Sequence, residues 1–158
     1  METNELSRRS FIGKTVAGAL GVAVSSSALS MNAASYQRIK GANDRINIGF
    51  LGCGSRSRGH QNMVKTSEKD KNLAVVAVCD IWKLNREKAA ANCKRLFGAD
   101  VKQFKYSEDM LKMPGLDAVM IATGDFQHAK LLAEVVEAGK DCYCEKPLST
   151  EVEDAKLA

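Results

Sequence analysis

The run Arg45-Ile46-Asn47-Ile48-Gly49-Phe50-Leu51 breaks into Gly52-Cys53-Gly54, and an apolar strand ending in G-x-G constrains the fold more than any other feature of the chain. Gly52 permits a tight turn, and Gly54 lets backbone N–H groups approach a pyrophosphate seated at the positive end of the following helix. Gly52-Cys53-Gly54-Ser55-Arg56 is therefore the candidate phosphate loop, with Arg56 and Arg58 as guanidinium donors to phosphate oxygens. The third small position of the pattern is Ser57, small enough for close helix–strand packing. A second buried-strand pattern, Leu73-Ala74-Val75-Val76-Ala77-Val78-Cys79, ends in Asp80, an acid 21 residues past Gly59. A carboxylate there accepts both ribose hydroxyls of an adenosine and repels a 2′-phosphate, so NAD is expected rather than NADP.

Apolar runs keep alternating with helical patterns down the chain. After the strand at 46–51, a polar helix is expected from about Arg58 to Ser67, then a strand at 73–79 and a helix from Lys83 to Phe97 closed by Gly98. Trp82, at the start of that helix, is expected to pack on the sheet. Val101 to Lys105 reads as a short strand, and Ser107-Glu108-Asp109 opens a brief helix that Pro114-Gly115 stops. Leu116 to Thr123 reads as a buried parallel strand. Gln127 to Ala138 is amphipathic, with Leu131, Leu132, Val135 and Val136 inward and Gly139 at its end. Asp141 to Cys144 is the next strand, and Thr150-x-x-Glu153 is a capping box for the helix behind it. Repeated β-α units of this length predict an α/β, Rossmann-type doubly wound parallel sheet whose ligands bind at the carboxyl ends of the strands.

The N-terminus reads differently. Ser7-Arg8-Arg9-Ser10-Phe11-Ile12-Gly13-Lys14 resembles a twin-arginine export signal and runs into a mildly apolar stretch, Thr15 to Leu29. That stretch is too short and too weakly apolar to span a bilayer. Residues 1–34 are thus expected to be a signal peptide, cleaved near Ala28 and Ser30 or near Ala33 and Ala34, and residues 45–158 to be the folded domain. A periplasmic or other extracytoplasmic location follows, by a route that exports folded proteins and so suits a cofactor loaded in the cytoplasm. The 23 Lys and Arg against 19 Asp and Glu leave a net charge of only +4, and nothing in that balance asks for nucleic acid. The five cysteines, Cys53, Cys79, Cys93, Cys142 and Cys144, are expected to be buried thiols rather than a disulfide framework. Cys142 and Cys144 project to one face of a strand without a neighbouring ligand pair, so no metal site is expected.

Three features fall at predicted strand ends beyond the glycine turn: Asp80, Thr123-Gly124-Asp125-Phe126-Gln127-His128, and Glu145-Lys146-Pro147. This ordered set resembles the glucose–fructose oxidoreductase, inositol dehydrogenase and rhizopine-catabolism (Gfo/Idh/MocA) family, from residue 46 to about 158. The resemblance implies that Lys146 is the catalytic lysine, beside the nicotinamide and in contact with substrate, and that Glu145 orients it. It places Ala122, Thr123 and His128 along the cofactor, although many members have Thr-Pro where this chain has Thr123-Gly124. The implied activity is hydride transfer between NAD and a sugar or cyclitol hydroxyl. An NAD-assisted glycosidase, similar to α-N-acetylgalactosaminidases, and a non-catalytic nucleotide-binding module are the alternatives. Members of the family continue into a second α/β domain that carries most of the substrate site and through which any homo-oligomer is expected to form. These 158 residues contain no such domain, so the chain is expected to be the cofactor-binding part alone.

Overall fold

A computed structural model describes residues 45–156 and Ala158; the expected export signal at 1–34 lies outside them. Five strands form one sheet in the order β3-β2-β1-β4-β5: β1 (Ile46–Leu51), β2 (Leu73–Cys79), β3 (Lys102–Phe104), β4 (Ala118–Ile121) and β5 (Asp141–Cys144). Every pairing is parallel, as β-α-β connections require. The chain builds outward from β1 to β2 and β3, then crosses back to lay β4 on the other side of β1. The order therefore reverses between β1 and β4, which opens a crevice at their carboxyl ends.

Alternating strand residues divide the core into two layers. Ile48, Phe50, Val78 and Met120 pack on one face with Val64 of α1 (Ser55–Ser67) and with Ala89 and Cys93 of α2 (Lys83–Phe97). Leu51, Ala77, Val119 and Ile121 pack on the other with Met110 of α3 (Ser107–Leu111) and Val135 of α4 (His128–Glu137). One break in the alternation has a visible cause. Ile48 pairs with Val75 but Gly49 pairs with Ala77, so β2 carries one extra residue, and Val75 and Val78 share a face despite their spacing of three.

Several expectations need correction. Helix α1 begins at Ser55, not at Arg58, because the chain enters it directly from Gly54, with Ser57 buried in its first turn. Val136 is 58% exposed: the buried stripe of α4 runs through His128, Ala129 and Val135, with Leu131 and Leu132 partly buried, and Val136 lies a hundred degrees of helical turn beyond Val135. Trp82 does not pack on the sheet; it stands 60% exposed as the residue preceding α2. Thr150 forms no capping box at α5 (Val152–Ala155). The helix has no side-chain cap; the preceding turn is closed locally by Ser149, its hydroxyl donating to the Glu151 carbonyl at 2.6 Å and accepting the Glu151 N–H at 3.0 Å. All five cysteines are free thiols, and Cys53, Cys79 and Cys93 are buried. Burial pushes the Cys79 thiol up to about 12 and that of Cys93 to about 11, which keeps both in the unreactive protonated form.

Candidate functional site

Backbone hydrogen bonds lace the strand ends together. Gly52 N–H donates to the Cys79 carbonyl at 2.9 Å, Ala122 N–H to Leu51 at 2.9 Å, and Glu145 N–H to Ile121 at 3.1 Å. Above them lies a cleft of about 530 Å³. It is lined by Gly52, Gly54, Ser55 and Arg56 of the glycine turn, by Asp80 and Ile81 after β2, and by Ala122 and Thr123 after β4. Those four residues of the glycine turn, with Asp80, Ala122 and Thr123, are seven of the ten positions expected along the cofactor.

The two glycines act differently. Gly52 has φ +85°, and a Cβ there would stand 2.7 Å from the carbonyl carbon and oxygen of Ala122 and 2.8 Å from the Thr123 methyl. It is required so that β1 can turn closely past the end of β4. A Cβ on Gly54 would meet nothing within 4 Å. That open space fronts the start of α1, which has neither a side-chain cap nor an acid in its first turn, so its N–H groups are left for an anion. The residues present fit the phosphates of a dinucleotide.

Asp80 is tied down before any ligand arrives. One carboxylate oxygen accepts the Cys53 N–H at 2.8 Å and the other accepts the Trp82 N–H at 2.8 Å. A carboxylate has about four acceptor sites, so these bonds fix its plane and leave each oxygen able to accept a hydroxyl. Cys53 thus takes part through its backbone, while its side chain points inward and donates to the Cys79 carbonyl at 3.4 Å. Arg86 reinforces the corner by donating to the Asp80 carbonyl at 2.7 Å.

At the other end, Lys146 is exposed and does not line the cleft. The expectation that Glu145 orients its ammonium needs correction. The buried Glu145 places Oε1 against Arg56, at 2.6 Å from both Nε and Nη2, and against His60 Nε2 at 2.7 Å, while Oε2 accepts the Lys146 backbone N–H at 3.2 Å. The Arg56 and His60 hydrogen bonds hold its carboxyl down near 2, so it is an anion at physiological pH. Glu145 therefore fixes the Lys146 backbone, and among the described residues no carboxylate pairs with the ammonium. His128 also stands away from the cleft. Its ring is buried and Nδ1 lies 2.7 Å from the Pro147 carbonyl, so it supports the turn that carries Lys146 rather than forming a cleft wall.

Sequence reasoning missed His60, which closes the Arg56–Glu145 cluster; its only linear signal is its spacing of four from Arg56, which puts both on one helix face. It also missed Asn85, Lys105, Tyr106 and Gln127 along the cleft. Lys105 places its ammonium 4.7 Å from the centre of the Tyr106 ring, a cation–π contact that holds both at the Asp80 end. Among the described residues no group of three or more His, Cys, Asp or Glu is arranged to hold a metal ion, and no helix is long and apolar enough to cross a membrane.

A parallel sheet with its switch point at a glycine cradle, faced by an anchored acid, defines an NAD-binding Rossmann domain. The chain belongs to the Gfo/Idh/MocA oxidoreductase family with NAD-binding Rossmann fold, whose model matches residues 46–158. It is 29% identical over 111 residues to an inositol 2-dehydrogenase of Agrobacterium fabrum, which covers 70% of this chain and 31% of that protein. Among solved structures it is similar to the WlbA dehydrogenase of Bordetella pertussis in complex with NADH and UDP-GlcNAcA, at 31% identity and TM-score 0.61 over 71% of this chain and 32% of that one. It also resembles the myo-inositol dehydrogenase of Lactobacillus casei in complex with NAD(H) and myo-inositol, at 28% identity and TM-score 0.58 over 70% and 31% of the two chains. The chain thus spans about a third of the length of these relatives.

Proposed function

We propose that this domain serves an exported NAD-dependent oxidoreductase that acts on a sugar or cyclitol hydroxyl. The observation that carries the reading is Asp80, held by two backbone N–H groups at the end of β2 and facing the same cleft as Gly54. Bound NAD supplies the hydride acceptor. The amides that open α1 take its phosphates, Asp80 takes the ribose hydroxyls, and Ala122 and Thr123 wall the path toward β5. Lys146, anchored through its backbone to Glu145, offers a fixed positive charge to the substrate oxygen. The substrate class is supported by the relatives' inositol and by the nucleotide sugar of the WlbA complex. Export is supported by Arg8 and Arg9 with the small-residue stretch after them; an undiminished extracytoplasmic pool of an Arg8→Lys, Arg9→Lys chain would sink that part.

Calorimetry tests the carrying observation. The unmodified protein is expected to bind NAD more tightly than NADP, and Asp80→Ala to narrow the gap by about 1–3 kcal/mol, the scale of a hydrogen bond to a charged group. Equal affinity for the two cofactors in the unmodified protein contradicts the role given to Asp80.

A further inference from the structure

Arg56 touches two places at once. It is the second residue of α1, its side chain is 66% exposed, and it lines the phosphate end of the cleft. Yet its Nε and Nη2 both rest on Glu145, a carboxylate only 6% exposed at the end of β5. Besides Arg56, that carboxylate meets the buried His60 ring at the same oxygen and the Lys146 N–H at the other. A guanidinium carries five N–H donors in one rigid plane. With two of them committed to Glu145, three remain, and a phosphate oxygen in the cradle can take them without breaking the carboxylate pair.

We propose that Arg56 is a positioning residue that transmits occupancy of the phosphate cradle to Lys146. An anion on its free donors fixes the guanidinium, which fixes the Glu145 carboxylate, whose second oxygen holds the Lys146 amide. The contacts are continuous from the cleft to the backbone of the lysine. His60 shares Oε1 of Glu145 with Arg56, at 2.7 Å, and its ring stands edge-on to Tyr143 at 5.3 Å between centroids. This coupling rests on the cofactor reading proposed above. It adds that an anion which never reaches the nicotinamide end alters that end.

Inorganic pyrophosphate is the discriminating probe, because it fills the cradle without extending to Lys146. Titrated into the full chain, it is expected to shift the amide NMR signals of Gly54 and Ser55, which report occupancy, and with the same saturation curve those of Glu145 and Lys146. In Arg56→Ala, affinity falls roughly tenfold for the lost charge-assisted contact. At saturation the Gly54 and Ser55 signals still move while those of Glu145 and Lys146 do not. Arg56→Lys keeps the charge without the planar fork, and an intermediate Lys146 response is expected; if Arg56→Ala fails to unfold cooperatively, this variant decides by the same criterion. Movement of Gly54 and Ser55 without Lys146 in the unmodified chain, or an unchanged Lys146 response in the variants, overturns the coupling and spares the cofactor reading. No response at Gly54 and Ser55 to either pyrophosphate or NAD overturns both.

Discussion

Gly52→Ala is expected to destabilise the domain by about 2–5 kcal/mol and to abolish measurable NAD binding. Two costs add. A left-handed backbone at φ +85° costs an alanine about 1–2 kcal/mol, and forcing a methyl into filled space costs about 1–3 kcal/mol more. The obstacle is backbone, the Ala122 carbonyl at 2.7 Å, and it cannot step aside because Ala122 N–H is bonded to Leu51 at 2.9 Å within paired strands. Relief must come from the glycine turn, which displaces Gly54 and the start of α1 from the phosphate path. Gly54→Ala is the control, since its methyl meets nothing within 4 Å. It should lower NAD affinity by filling the cradle while leaving the unfolding midpoint nearly unchanged. Denaturant unfolding and calorimetry on both variants check the pair, and a Gly52→Ala chain with unaltered midpoint and NAD affinity would show that the close approach to Ala122 has no consequence.

The parts of this domain that sequence alone discloses are those in which one strand and the turn after it contain the whole pattern. Leu51 to Gly54 and Val78 to Asp80 are such parts, because an apolar run and its terminal glycine or acid are adjacent in the chain. Helix α1 is the opposite case. Its buried residues are Ser57, His60, Gln61 and Val64, spaced i, i+3, i+4 and i+7 as an inward stripe should be, but three of the four are polar and hydrophobic periodicity is blind to them. Two of the three are paired by contacts that only the fold supplies: Gln61 accepts from Asn92 at 2.6 Å and His60 meets Glu145, 85 residues away in sequence, while the small Ser57 is buried without a hydrogen-bond partner among the described residues. The same distance in sequence hid the true partners of Glu145. Its neighbour Lys146 is the obvious ion-pair candidate on paper, yet adjacent residues on an extended chain point to opposite sides, so the carboxylate turns in toward α1 while the lysine faces out.

That divergence sets the last prediction. On the proposed hydride-transfer reading, Lys146→Met is expected to lower kcat/KM for the sugar or cyclitol by about 10²–10³, the cost of losing one preorganised donor to a developing charge. NAD affinity should stay nearly intact, because Lys146 lies outside the nucleotide cleft, whose lining includes Gly54, Asp80 and Thr123. Commitment of Glu145 to Arg56 and His60 is what gives the lysine this leverage. A carboxylate paired with the ammonium would cancel most of its field at the substrate oxygen, whereas an ammonium that no described carboxylate pairs presents its charge there from an anchored backbone. Steady-state kinetics at saturating NAD, read beside calorimetric NAD affinity, separates the two quantities. A large loss of NAD affinity in Lys146→Met would reassign the residue to cofactor binding, and unchanged kcat/KM would remove it from the chemistry altogether.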